Sequence, residues 1–229
     1  MSSHLINRHI NAYIFDYGGT LDTGGHHWGK VLWHAWQQAG ISVSEARFRE
    51  AYIYAERKLA RERIVLSSFA FRQTLEAKLR IELEYVGLPG YLPTLLDVVY
   101  KQAERHTEHS REVLQLLAER CPLALVSNFY GNIHTVLNEF GFDGLFQHVI
   151  ESAVVGVRKP DPQIFLMGVE ALQMRPDEVA VVGDSLTKDI IPAHQAGCQT
   201  VWLRGEQWDD TAVDETLPDR IITNLTELL

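Results

Sequence analysis

Five short apolar runs place the tightest limit on how this chain can fold. They occupy residues 12–15, 123–126, 149–150, 179–182 and 200–203, and Ile221-Ile222 adds a short sixth. The run at 149–150 is weaker than the others. Most are continuous rather than alternating in polarity, which suits strands buried on both faces, as in a parallel sheet covered by helices. Helical periodicity fills the gaps. Residues 112–120 carry Val113, Leu116 and Leu117, and residues 133–140 carry Val136, Leu137 and Phe140 before Gly141. Residues 162–173 follow Asp161, a suitable cap, and begin with a proline that fits a first turn. Residues 190–196 stop at Gly197. The alternation from residue 107 onward predicts a doubly wound α/β sheet.

Residues 23–106 break that alternation, with helical patterns at 30–39, 44–59, 69–86 and 92–104 and almost no strand candidates. They read as a helical domain inserted after the first strand. The expected division is therefore a core of residues 1–22 and 107–229 and a helical cap of residues 23–106.

Polar groups follow the apolar runs directly, where an open α/β sheet forms its crevice. The first run delivers Asp16, followed by Gly18, Gly19, Thr20 and Asp22. The others deliver Ser127-Asn128 and Gly183-Asp184-Ser185, with Asp189 four residues past Ser185. Arg158-Lys159-Pro160 supplies a cation. Any one of these could be a turn or a cap; their convergence on several strand ends makes them a candidate site.

In order, spacing and strand context these residues resemble the haloacid dehalogenase superfamily over nearly the whole chain. The resemblance implies that Asp16 is a nucleophile that forms an aspartyl-phosphate. It implies Mg²⁺ held by Asp16, the backbone carbonyl of Gly18 and Asp184, with Asp189 nearby. Ser127 and Lys159 would bind and polarise the phosphoryl group, with Gly18, Gly19 and Asn128 shaping its loops. Thr20 would stabilise the first loop, and Asp22 and Asp161 read as structural. The inserted helices match that family's helical cap, whose basic residues Arg57, Lys58, Arg61 and Arg63 are candidate contacts for an anionic substrate.

One position departs from the family's phosphatase pattern. The aspartate that protonates the leaving oxygen stands two residues after the nucleophile in those enzymes, and here that residue is Gly18. General acid–base catalysis is worth about 10²–10⁴-fold, or roughly 3–5 kcal/mol of barrier. His26 and His27, behind Gly24-Gly25, are candidate replacements; Tyr17 reads as a packing residue. Phosphonate C–P cleavage through a cap lysine such as Lys58 would need no such acid, and a weakly active phosphometabolite-binding protein would need no turnover. The expected function is Mg²⁺-dependent hydrolysis of a small phosphorylated metabolite.

The net charge of −9 disfavours nucleic acid as the main partner. Cys121 and Cys198 lack metal-ligand spacing and read as buried thiols rather than a disulfide. With no visible signal peptide and no apolar run of about 18 residues, the expectation is a soluble, cytoplasmic protein. Its oligomeric state is not legible.

Overall fold

The computed structural model describes residues 9–208 and 214–229. Six parallel strands form one sheet: β1 (Ala12–Phe15), β2 (Leu123–Ser127), β3 (His148–Glu151), β4 (Val179–Gly183), β5 (Gln199–Leu203) and β6 (Arg220–Ile222), in the order β3-β2-β1-β4-β5-β6. The chain winds outward from β1 in both directions, so the crevice at the carboxyl ends opens beside β1, where the strand order reverses.

Burial on both faces explains the continuous apolar runs. Tyr13, Phe15, Leu123, Leu125 and Val182 pack on one side, into a core shared with α4 (Leu92–Ala118) and α5 (Ile133–Glu139). Ala12, Ile14, Val126, Val179 and Val181 pack on the other, with Ile164, Phe165 and Val169 of α7 (Gln163–Ala171) and Ala193 of α8 (Ile191–Gln195). Asp161 Oδ1 accepts from the Gln163 amide at 2.9 Å, the cap expected ahead of α7. A short α6 (Ser152–Val155) follows β3. Cys198 is buried and Cys121 partly so, and both thiols are free.

Between β1 and β2 run α1 (Trp28–Gln38), α2 (Glu45–Arg61), α3 (Phe71–Val86) and α4. Ser44 caps α2, its Oγ accepting from the Arg47 amide at 3.2 Å. Leu32, Trp36, Phe48, Leu75 and Leu79 of these helices join the sheet-side core. The expected break near residue 106 does not appear: residues 92–118 form one helix in place of two. Its polar middle is satisfied in place. Thr107 Oγ1 donates to the Ala103 carbonyl at 2.9 Å, and Ser110 Oγ donates to Leu21 O at 2.8 Å. With those hydroxyls bonded, nothing at residues 105–111 stops the helix. No helix among the described residues is long and apolar enough to cross a membrane.

Candidate active site

The end of β1 places Asp16 on the floor of a cavity of about 160 Å³ whose opposite wall is made by α2 and α3. Asp16 is 6% exposed. The Lys159 ammonium lies 2.6 Å from Asp16 Oδ1 and 2.7 Å from Asp189 Oδ1. Ser127, ending β2, donates from Oγ to Asp16 Oδ1 at 3.1 Å. Asn128 fixes the lysine's backbone: its Oδ1 accepts from Lys159 N at 2.9 Å and its Nδ2 donates to Lys159 O at 3.1 Å. Ser127 and Lys159, 111 and 143 positions along the chain from Asp16, thus meet around its carboxylate.

Asp184, just past β4, is held by Thr20, whose Oγ1 donates to Asp184 Oδ1 at 3.2 Å and accepts from Asp184 N at 3.0 Å. Thr20 therefore ties the first loop to the fourth strand. Asp189 Oδ2 accepts from the Ser185 amide at 3.0 Å across a single wide turn, residues 186–190. Asp16, Asp184 and Asp189 offer oxygens within 4.8 Å of one another. Gly19, at φ +100°, is required here: a Cβ would stand 2.5 Å from the Asp184 carboxylate.

Electrostatically the cluster has too much negative charge for its one buried cation. Burial, then repulsion from Asp189 and Asp16, pushes the Asp184 carboxyl well above its ordinary value. Burial also raises Asp189, against the pull of Lys159. Burial works to neutralise Lys159, but Asp16 and Asp189 outweigh it and keep the ammonium charged. An all-oxygen, anionic donor set with net charge to spare fits a hard divalent cation.

The Trp28 indole lies beside Gly18. A Cβ on Gly18 would meet only the Trp28 indole, with Nε1 at 3.9 Å. Trp28 Nε1 donates to Asp22 Oδ2 at 3.0 Å, and Gly19 N donates to Asp22 Oδ1 at 2.7 Å. Burial pushes Asp22 up to about 7. Of the two candidate histidines, His27 lines the same cavity as Asp16, while its Nδ1 accepts from the Gly29 amide at 3.0 Å as the cap of α1. His26 lines a neighbouring cavity and accepts on Nδ1 from Glu206 N at 3.1 Å. Tyr17 is buried, edge-on to Phe129.

The cap contributes different residues from those expected. Arg57 is exposed, and neither it nor Lys58 lines the cavity; Lys58 Nζ lies 3.9 Å from Glu62. Arg61 and Arg63 are also exposed and outside the lining. The lining instead includes Tyr52, Glu56, Phe71 and Lys78 from α2 and α3, with Tyr130 and Lys188 from the core. Helical phase accounts for the exchange. Glu56 flanks the buried stripe of Phe48, Tyr52, Ala55 and Leu59 on the side of Tyr52 and Leu59, which line the cavity, whereas Lys58 flanks the stripe on its other side and Arg57 lies on the opposite face of the helix. The available signal was charge on a buried stripe: on α3, Lys78 and Glu82 follow Phe71 and Leu75 at helical spacing.

These strand ends bring three carboxylates and a lysine together on a Rossmann-like sheet. A family model described as haloacid dehalogenase-like hydrolase matches residues 10–197, and the chain belongs to that family. It is 36% identical over 88 residues to a glyceraldehyde 3-phosphate phosphatase of Pyrococcus furiosus, covering 38% of this chain and 37% of that protein. It is 32% identical over 164 residues to a phosphoserine phosphatase of Thermus thermophilus, covering 69% and 61%. The match thus spans less than two thirds of either relative's length. A dehalogenase solved with an intermediate complex superposes with TM-score 0.64 at 19% identity, over 96% of this chain and 95% of that one. A HAD phosphatase from Thermococcus onnurineus gives 0.55 at 22%, over 96% of each. These structural likenesses concern the fold.

Proposed function

We propose that the chain is a Mg²⁺-dependent phosphoric monoester hydrolase that dephosphorylates a small metabolite through an aspartyl-phosphate on Asp16. The observation that carries this reading is the meeting of Asp16, Ser127 and Lys159 with the Asp184–Asp189 pair on one cavity. The phosphatase names of the similar sequences support the same reaction class.

Asp16 would attack phosphorus as the bond to the leaving oxygen breaks; water would then attack the aspartyl-phosphate and return the free carboxylate and inorganic phosphate. Ser127 Oγ, now donating to Asp16, is placed to turn to a phosphoryl oxygen. Lys159 supplies a fixed positive charge beside both the nucleophile and the transferring group. Asn128 and Thr20 keep the lysine and Asp184 loops in register. Mg²⁺, held by Asp16, the Gly18 carbonyl and Asp184 with Asp189 beside them, would offset the repulsion between carboxylate and phosphate dianion. The cap helices form the wall opposite Asp16 and would face the part of the substrate beyond phosphorus.

Carbon–phosphorus cleavage draws no support from the cavity's chemistry. An imine needs a neutral amine, and the cavity's cap lysine, Lys78, is held charged by Glu56 despite its burial. A phosphoester screen with and without Mg²⁺ tests the proposal. Turnover that requires the metal and disappears in Asp16→Asn is expected; no hydrolysis of any ester, acyl phosphates included, would overturn it and favour a binding protein.

A further inference from the structure

The cap wall of the cavity carries a charged pair with no part in the phosphoryl chemistry. Lys78 on α3 is ion-paired with Glu56 on α2. The Lys78 ammonium also sits 4.1 Å from the centroid of the Tyr52 ring. Tyr130, from the loop after β2, donates its hydroxyl to Glu56 Oε1 and Oε2 at 3.4 and 3.5 Å. Lys78 is 8% exposed, and both residues line the same cavity as Asp16 and Lys159. Burying the Lys78 ammonium is costly even when it is paired, and the Glu56 side chain beside it is 39% exposed, so the pair is weak evidence for stability. Its position facing the site points to recognition.

The pair is locked in its charged form. Burial works to protonate Glu56, but the neighbouring Lys78 holds its carboxyl below the ordinary range. An ammonium has three N–H donors and a carboxylate about four acceptor sites. Glu56 and the Tyr52 face leave Lys78 with donor capacity, and the long Tyr130 contacts leave Glu56 with acceptor capacity. A ligand here meets a donor and an acceptor side by side, with no net charge between them. A lone carboxylate would face Glu56, and a lone ammonium would face Lys78. A hydroxyl matches both, accepting from one and donating to the other. Lys188 also reaches the cavity, but it is exposed, where water screens its charge. Trp28, Tyr52 and Phe71 give the remaining wall flat apolar faces for C–H groups.

We propose that the Glu56–Lys78 pair determines specificity by binding the leaving-group side of the substrate, and that it selects phosphate esters of hydroxylated carbon chains. Unsubstituted alkyl esters and zwitterionic amino-acid esters are discriminated against. This rests on the hydrolytic reading above.

Competition against hydrolysis of acetyl phosphate by the full chain with Mg²⁺ tests it, because a competitor's affinity is read whether or not it turns over. Glycerol 3-phosphate should compete at least about tenfold more tightly than propyl phosphate or phosphoserine, the scale of one or two matched hydrogen bonds. In Glu56→Gln and Lys78→Met that preference should shrink to within about threefold. Equal competition by propyl phosphate, tighter competition by phosphoserine, or a preference that survives both substitutions would overturn the proposal. If thermal melts show that breaking the pair unfolds the chain, the wild-type comparison decides alone. Absence of acetyl phosphate hydrolysis would instead bring down the hydrolytic reading, and this proposal with it.

Discussion

The Trp28 indole stands over Gly18: its Nε1 lies 3.9 Å from where a Cβ on that glycine would be, while donating to Asp22 at 3.0 Å. The residue that replaces a leaving-group acid in the sequence is thus covered in space by an N–H donor, which cannot serve as that acid near neutral pH. Asp22 and Gly19 share the arrangement, since the Asp22 carboxylate holds the Gly19 amide as well as the indole.

Reaction rates should follow the leaving group. With no carboxylic acid at position 18, acyl and aryl phosphates should be hydrolysed about 10²–10⁴-fold faster, relative to an enzyme that has one, than alkyl phosphates. A plot of log kcat/KM against leaving-group pKa measures this; a flat line would show that His27, Asp22 or another group supplies the proton.

Gly18→Asp should raise alkyl phosphate hydrolysis by about tenfold or more. Gly18 does not have a positive φ, and its Cβ would make only van der Waals contact with Trp28. Steady-state rates on one alkyl and one aryl ester decide the matter. A gain confined to the alkyl ester is expected; a loss on both would mean that the indole leaves the carboxylate no room.

Asp184→Asn should stabilise the metal-free protein while abolishing its response to Mg²⁺. Three buried carboxylates crowd within 4.8 Å, and removing one charge relieves repulsion. The wild-type Tm should rise with Mg²⁺, by about 2.7 kcal/mol of stability at 100 times Kd. Melts in chelator and in excess Mg²⁺ test both halves. An undiminished Mg²⁺ shift in the variant would remove Asp184 from the metal site.

Glu82 should make stability fall as pH rises. Both of its oxygens are buried without hydrogen-bond partners among the described residues, and burial raises its carboxyl to about 8, against the pull of Lys78. The folded state keeps a proton that the unfolded chain releases near pH 4.3. The contribution is therefore complete below about pH 4 and is lost as pH rises through about 8, with a total on the order of a few kcal/mol. Urea midpoints between pH 5 and pH 9 should slope downward in the wild type and less so in Glu82→Gln. Equal slopes would assign the effect to another group.

Continuous apolar runs were enough to find the four central strands, because burial on both faces imposes a local composition that no tertiary knowledge is needed to see; the partly exposed edge strands β3 and β6 left only the two-residue runs 149–150 and 221–222. The polar residues after those runs were legible for the same reason: Asp16, Ser127 and Asp184 stand where a strand ends. Lys159 and Asp189 meet them only through contacts spanning up to 173 positions between Asp16 and Asp189, yet their spacing from the runs already marked them. What the tertiary structure alone decided lies in the cap. Helical periodicity gives each helix a phase but not the neighbour its face will meet. The basic residues Arg57 and Lys58 drew attention by charge, and packing turned Glu56 and Lys78 to the cavity instead. Likewise the polar stretch at 105–111 looked like a helix break until its hydroxyls found carbonyl partners, one of them Leu21, 89 positions away. Local chemistry determined which residues could react; the packing of α1–α3 over β1 determined what stands beside Gly18 and what faces the substrate.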